Sequence, residues 1–179
     1  AVEKLFQEVQ PDVVINTSAL SVPDYCETHH EEAWLTNVTA VEQLAHLCES
    51  YKSRFIHLST DFVFDGKIDE KSGQLYTEES LPAPVNYYGF TKWKGEEKVA
   101  DICSNYAIAR VEIVYGKALP GQHGNVLQLV ANRLRNNEEV FVVSDQWRTP
   151  TFVGDVSQGV EKLINHPQNG IYHLCGSEC

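Results

Sequence analysis

The residues of this sequence best suited to chemistry are a tyrosine and a lysine four positions apart. Tyr88 and Lys92 stand in the stretch NYYGFTKWKGEE (86–97), and on a helix this spacing puts both side chains on one face, one turn apart. An adjacent ammonium favours the phenolate, so we expect it to lower the pKa of the Tyr88 phenol from its usual value of about 10. Tyr88 is therefore a candidate proton donor and acceptor near neutral pH.

A second polar cluster comes before this pair, at the end of an apolar run. The stretch LSTDFVFDG (58–66) places Thr60 and Asp61 directly after Phe55–Leu58, a run typical of a strand. The Thr60 hydroxyl could hold the same substrate oxygen that Tyr88 protonates. Taken alone, a Tyr-x-x-x-Lys spacing more often belongs to a solvated helix face, and only the surrounding pattern favours catalysis.

Apolar runs that alternate with amphipathic segments must position these residues. Strands are predicted at 13–15, 55–58, 106–114, 140–143 and 170–174, and helices at 1–9, 31–51, 87–103, 125–136 and 155–165. This alternation predicts an α/β fold, with a Rossmann-like parallel sheet and helices on both of its faces. Because ligands bind outside the carboxyl ends of such strands, we expect the ligand edge at 16–21 and 59–64.

Composition excludes several classes of protein. Asp and Glu number 25 against 14 Lys and Arg, so the net charge is -11, which argues against a nucleic-acid partner. No apolar run of about 18 residues occurs, which argues against a membrane span. The five cysteines are odd in number and widely spaced, which predicts reduced thiols in a cytoplasmic protein and neither a disulfide framework nor a zinc site. The absence of Met predicts an internal piece of a longer protein.

Four stretches in order carry a resemblance to a known family. STDFVFDG, PAPVNYYGFTKWKGEE, RVEIVYG and DQWRTPTFVGDV resemble the extended short-chain dehydrogenases/reductases, above all the dTDP-4-dehydrorhamnose reductase branch. The resemblance implies NAD(P)H-dependent reduction of a nucleotide-bound 4-keto-6-deoxy sugar. It also implies a partial Rossmann-type domain with the catalytic residues over 1–116. Residues 117–179 would hold part of a small C-terminal substrate lobe and the last sheet elements.

The same resemblance assigns roles to individual residues. Thr60 would orient the carbonyl, Tyr88 would protonate its oxygen as hydride arrives, and Lys92 would lower the tyrosine pKa and bind the nicotinamide ribose. The stretch 13–27, followed by Asn37, matches the branch's strand, cofactor loop and helix, and Ala19, Leu20 and Ser21 would be the loop that lies along the cofactor. Asp61 matches a position that contacts the sugar.

Two substrate positions leave alternatives open. Ile113 stands where the rhamnose branch carries Trp, so either the sugar differs or Trp147 fills the space. Arg148 could meet a nucleotide diphosphate, since a guanidinium suits phosphate oxygens, or it could equally pair with one of the many acids.

The chain also departs from the family pattern. Its first glycine is Gly66, so the family's Gly-x-x-Gly-x-x-Gly turn, which holds the pyrophosphate, does not occur in it. We therefore expect these residues alone to bind a dinucleotide poorly and to be inactive, and the choice between NAD and NADP stays open. A homodimer and a divalent metal at a subunit interface are left open as well.

Two other readings of the resemblance remain. One is a non-catalytic regulatory relative resembling the methionine adenosyltransferase beta subunit, and the other is a nucleotide-sugar epimerase or dehydratase.

Outside the site, we expect Asp155 to cap the helix that follows it and Glu96 and Glu97 to lie on a solvated helix face.

Overall fold

Four parallel strands form the central sheet. The computed structural model describes residues 1–67, 75–117, 125–144 and 146–177. The strands are β1 (Val13–Asn16), β2 (Arg54–Thr60), β3 (Tyr106–Val111) and β6 (Gly170–Leu174). They lie in this order across the sheet, and because neighbouring strands run parallel, each connection must cross over, which the intervening helices allow. The predicted Rossmann-like parallel sheet is therefore confirmed.

Seven α-helices surround the sheet in the described part of the chain. They are α1 (Val2–Val9), α2 (Pro23–Cys26), α3 (His30–Trp34), α4 (Ala40–Tyr51), α5 (Tyr87–Ile102), α6 (Val126–Arg135) and α7 (Val153–Ile164). None of them is long and apolar enough to cross a membrane.

The two faces of the sheet bury separate cores, because successive strand residues point to opposite sides. On one face, Phe55 of β2 and Ile108 of β3 pack against Ala45 of α4 and Val99 of α5. On the other face, a second cluster packs against α7 through Leu163. Helices thus cover both faces, and the catalytic candidates of α5 belong to the first.

A π-helical turn interrupts the long helix predicted over 31–51. It spans Leu35–Thr39, and the Ala40 N–H donates to the Leu35 carbonyl. The turn carries its own carbonyls close to α5, where a Cβ added to Gly95 would lie 2.6 Å from the carbonyl oxygen of Asn37. Only glycine fits at this crossing, so the two helices approach with backbone against backbone.

Two strand predictions outside the site were wrong in detail. The strand predicted over 106–114 ends at Val111, because the backbone bends at Ile113 (φ 29°) and continues as β4 (Val114–Tyr115). That strand pairs with β5 (Thr151–Phe152) in a separate two-stranded sheet. The run 140–143 forms no strand, and its Phe141 is 86% exposed, since no described strand lies alongside to pair with it.

The helix expected to begin after Asp155 begins earlier. Phe152 precedes the first helical residue, so β5 leads straight into α7 and Asp155 lies inside the first turn. It therefore does not cap the helix, although its charge still suits the positive end of the helix dipole. The predicted domain boundary after residue 116 adjoins residues 118–124, which lie outside the described residues, as do 178–179.

Candidate active site

The site forms where the carboxyl end of β2 meets the amino end of α5. Asn86 caps α5 by accepting a hydrogen bond from the Gly89 N–H at 2.7 Å. A Cβ added to Gly89 would lie 2.1 Å from the carbonyl oxygen of Phe62, so glycine lets the helix rest on the short 3-10 turn that follows β2. This contact sets Tyr88 beside Thr60.

Tyr88 is buried and keeps its proton. It is 9% exposed, and its ring meets Phe62 edge to face at 5.6 Å. Burial raises the pKa of Tyr88 to about 12, a hydrogen bond with the Thr60 side chain lowers it, and the charge of Asp61 raises it. The expectation of a lowered tyrosine pKa was therefore wrong, because loss of hydration outweighs every favourable neighbour.

Lys92 lies one helical turn further on and is 2% exposed. Its Nζ donates to the Leu58 carbonyl at 2.7 Å and lies 3.4 Å from Nε2 of His57. Burial lowers the pKa of Lys92 to about 8, while Glu96 acts in the opposite direction. The amino group is thus mainly an ammonium at neutral pH, although it titrates within reach of physiological conditions.

Asn37 ties the predicted cofactor loop to this helix. Its Oδ1 accepts from the Leu20 N–H at 2.9 Å, and its Nδ2 donates to the Leu20 carbonyl at 3.1 Å and to Oγ1 of Thr91 at 3.0 Å. Leu20 packs against the cluster that contains Tyr88, while Ala19 is half-buried and Ser21 is exposed. The loop and the tyrosine are therefore neighbours.

A cavity of about 460 Å³ opens beside the site. Asp61, Phe62, Glu112, Trp147 and Arg148 are among the residues that line it. The catalytic candidates Thr60, Tyr88 and Lys92 do not line it, and Phe62 forms the wall between the cavity and the tyrosine ring. The cavity therefore borders the candidate site and does not enclose it.

Ile113 does not line this cavity, and its contact with the substrate stays a prediction. The bend at the end of β3 turns it toward β5, where its carbonyl accepts from the Thr151 N–H at 3.2 Å. Trp147 does line the cavity and is 74% exposed, so the indole available in this part of the chain comes from there.

Arg148 takes acids as its partners. Its Nη1 bonds Oδ2 of Asp61 and lies 3.6 Å from Oε1 of Glu112, and its guanidinium lies 5.2 Å from the centre of the Phe62 ring. Burial raises the pKa of Asp61, as does Glu112, while Arg148 lowers it. Of the two alternatives for this arginine, the structure contains the ion pair.

A buried ion pair supports α5 from below. Glu96 is 3% exposed and accepts from Nε and Nη2 of Arg110 at 2.9 and 2.6 Å. The expectation of a solvated Glu96 was wrong, because β3 places a guanidinium opposite it. Glu97 does reach solvent and pairs with Lys94 at 2.7 Å.

Sequence reasoning missed the residues that hold the site from beneath. His57 is fully buried in β2 and contacts Lys92 and Asn16, and Thr91 donates to the Tyr88 carbonyl at 2.8 Å. The available signal for His57 was its place in an otherwise apolar run, Phe55–Leu58, where a buried polar side chain needs a partner.

The structure offers no evident metal site in the residues it describes. Among them, no group of three or more His, Cys, Asp or Glu side chains is placed to hold an ion. Cys26, Cys48, Cys103 and Cys175 are free thiols, and Cys179 lies outside the described residues.

Comparison with known proteins finds relatives along the whole chain. The probable low-salt glycan biosynthesis reductase Agl14 of Haloferax volcanii is 35% identical over 97% of this chain and 57% of its own length. Methionine adenosyltransferase 2 subunit beta of Xenopus laevis is 36% identical over 99% of this chain and 53% of its own length.

A solved structure agrees in fold as well. The crystal structure of dTDP-4-dehydrorhamnose reductase from Bacillus anthracis in complex with NADP matches with a TM-score of 0.89 and 30% identity, over 97% of this chain and 59% of that one. The chain thus spans little more than half the length of the relatives it matches. The family model described as the RmlD substrate binding domain matches residues 1–179, and the chain therefore belongs to that family.

Proposed function

We propose that this chain carries the catalytic part of an NAD(P)H-dependent reductase that acts on a nucleotide-bound 4-keto-6-deoxy sugar. The observation that carries the proposal is a buried, protonated Tyr88 against Thr60 at the carboxyl end of a parallel strand, beside a ligand-sized cavity. In this proposal residues 1–116 supply catalysis and residues 117–179 supply part of the substrate lobe.

The chemistry requires a proton at the carbonyl oxygen. Tyr88 donates it, since a pKa of about 12 keeps the phenol protonated at every working pH. The Thr60 hydroxyl donates to Oδ1 of Asp61 at 3.0 Å and would turn toward the carbonyl oxygen to orient it. The ammonium of Lys92, one turn along the same helix, favours the phenolate that the transfer leaves behind.

A bound NADP or NAD would supply the hydride. The residues present fit such a cofactor, because Leu20 of the predicted loop packs against the tyrosine cluster while both polar groups of its backbone are held by Asn37. Ala19, Leu20 and Ser21 would lie along the cofactor, and Lys92 would bind its ribose together with Tyr88.

On the substrate side, Asp61 and Arg148 would contact the nucleotide sugar. Because Arg148 is paired with two acids, a diphosphate would have to compete with Asp61 and Glu112 for the guanidinium. The exposed Trp147 supports the idea that its indole takes the place that Ile113 leaves open. A homodimer remains a prediction of the family resemblance.

The test is Tyr88→Phe in the complete protein, assayed by NADPH oxidation with dTDP-4-dehydrorhamnose and related keto sugars. We expect turnover to fall by about two to four orders of magnitude, the scale for a lost general acid, with the fold intact. Tyr87→Phe is the matched control, since this neighbouring ring stacks on His30 at 3.8 Å and we expect activity to persist. A Tyr88→Phe enzyme that keeps more than half of its turnover would refute the assignment.

A regulatory subunit is the second candidate. The observation in its favour is the 36% identity to the beta subunit of methionine adenosyltransferase, as high as the identity to the reductase of Haloferax volcanii. The same assay separates the two functions, because a regulatory relative would show no sugar-dependent NADPH oxidation in the wild-type protein.

A further inference from the structure

Buried polar groups form a chain beneath α5, from the loop after β1 to the lysine. Oδ1 of Asn16 accepts from the N–H and the hydroxyl of Ser18 at 3.1 and 2.7 Å. Nδ2 of Asn16 lies 3.1 Å from Nδ1 of His57, and Nε2 of His57 lies 3.4 Å from Nζ of Lys92. Asn16, His57 and Lys92 are each at most 5% exposed, so solvent does not substitute for these contacts.

These contacts determine where the imidazole proton sits. A backbone N–H can only donate, so the bond from Ser18 makes Oδ1 of Asn16 an acceptor and leaves its Nδ2 to donate. Nδ1 of His57 must then accept. Burial, reinforced by Lys92, holds the pKa of His57 well below its usual range, so the ring is neutral. A neutral imidazole that accepts through Nδ1 carries its hydrogen on Nε2, toward the lysine.

An imidazole in this tautomer disfavours the protonated form of Lys92. The ammonium has only N–H donors, so it gains nothing from an N–H that points at it, whereas an uncharged amine accepts that hydrogen through its lone pair. The Leu58 carbonyl favours the ammonium instead, since it accepts from Nζ at 2.7 Å. Lys92 therefore lies between two partners with opposite preferences: the Leu58 carbonyl favours the ammonium, and the N–H of His57 favours the uncharged amine.

Within the described ranges, the charged side chain that acts on Lys92 is Glu96. Glu96, on the same helix, favours the ammonium, but its carboxylate is shared with Arg110 of β3 through two hydrogen bonds. The amides of Asn16 in β1 and Asn37 in the π-helical turn are neutral, and they bond His57 and Thr91 respectively. His57 is accordingly the neighbour whose state decides how firmly the amine holds its proton.

We propose that His57 is a positioning residue, which fixes the Lys92 amino group and, through the tautomer imposed by Asn16, weakens its hold on a proton. The inference rests on the proposed function only in taking Lys92 as the lysine of a reductase site. It implies that the loop after β1, expected to lie along the cofactor, acts on the lysine through Ser18 and Asn16.

The experiment is an NMR titration of the complete protein labelled with [ε-13C]lysine, with the Lys92 signal identified by its loss in Lys92→Arg. In His57→Gln the side-chain oxygen can accept from the ammonium, so we expect the Lys92 midpoint to rise from about 8 by about one pH unit or more. Ser59→Ala is the matched control, two residues along the same strand, where the buried hydroxyl has no hydrogen-bond partner among the described residues. It should leave the midpoint unchanged.

Asn16→Asp tests the effect of the tautomer while the His57 side chain stays in place. A carboxylate only accepts, so Nδ1 must carry the hydrogen and Nε2 becomes an acceptor for the ammonium, which again raises the midpoint. An unchanged Lys92 midpoint in folded His57→Gln overturns the inference. If His57→Gln does not fold, an unchanged midpoint in Asn16→Asp overturns it instead. A raised midpoint in a protein without sugar-dependent turnover overturns the proposed function and supports the role of His57.

Discussion

Burial of Lys92 should lower the free energy of unfolding by an amount that depends on pH and can be calculated from its two pKa values. Its pKa is about 8 in the folded protein against an ordinary value of 10.5. Between these values the unfolded chain binds more protons, so the free energy of unfolding rises with pH in that interval. The cost is fully present below pH 8 and is relieved as the pH approaches 10.5.

Replacing the lysine with methionine removes this pH dependence. Integration of the linkage relation puts the cost at about 3 kcal/mol at pH 7 and about 1 kcal/mol at pH 10. The free energy of unfolding of Lys92→Met, taken relative to wild type, should therefore be higher at pH 7 than at pH 10 by about 2 kcal/mol. The lost hydrogen bond to Leu58 and the altered packing are the same at both pH values, so they cancel in this difference.

The assay is equilibrium urea denaturation of both proteins at pH 7 and pH 10. Lys98→Met, on the solvent side of the same helix, is the control. Glu42 raises the pKa of Lys98 above its ordinary value of 10.5, chiefly through a hydrogen bond, so the stabilisation is present at both pH values and the difference from wild type should stay nearly the same. If the difference between Lys92→Met and wild type is the same at both pH values, the burial argument is wrong.

Three more outcomes follow from the site. Glu96→Gln should destabilise the protein by about 3–5 kcal/mol in urea denaturation because it leaves the Arg110 charge buried, and a loss below about 1 kcal/mol would contradict this. Asn37→Ala should speed amide hydrogen exchange at residues 19–21, and unchanged protection there would show that the loop does not depend on it. In a panel of keto-sugar nucleotides, Trp147→Ala should raise the KM, whereas Ile113→Trp should change it little; the reverse order would restore Ile113 to the substrate pocket.

The parts of the fold predicted correctly depend on local patterns. The alternation of apolar runs and amphipathic segments was sufficient for the parallel sheet, and the motifs around Thr60 and Tyr88 lie at the ends of adjacent elements. Residues at the carboxyl end of a parallel strand and in the first turn of a helix meet at the same edge of the sheet. Their proximity therefore needed no knowledge of the packing.

What could not be predicted depends on distant contacts. The sequence placed Lys92 beside Tyr88, but the direction of the tyrosine pKa depends on burial by Phe62 and the loop around Leu20. Glu96 has the sequence context of a surface residue until β3 places Arg110 beneath it. The run 140–143 has the composition of a strand, but the part of the chain that the structure describes offers it no neighbouring strand to pair with.

The π-helical turn at Leu35–Thr39 makes the chain sensitive to length at one place. The turn holds one residue more than an α-helical turn, so deleting a single residue there would restore regular helix while the segments on either side keep nearly the same relative orientation. Ala33, now fully buried, would stay in its pocket, whereas the amide of Asn37, which lies inside the turn, would lose its alignment with the loop. A conservative substitution in this segment should be tolerated far better than a deletion, because the position of Asn37 depends on the one extra residue of the turn.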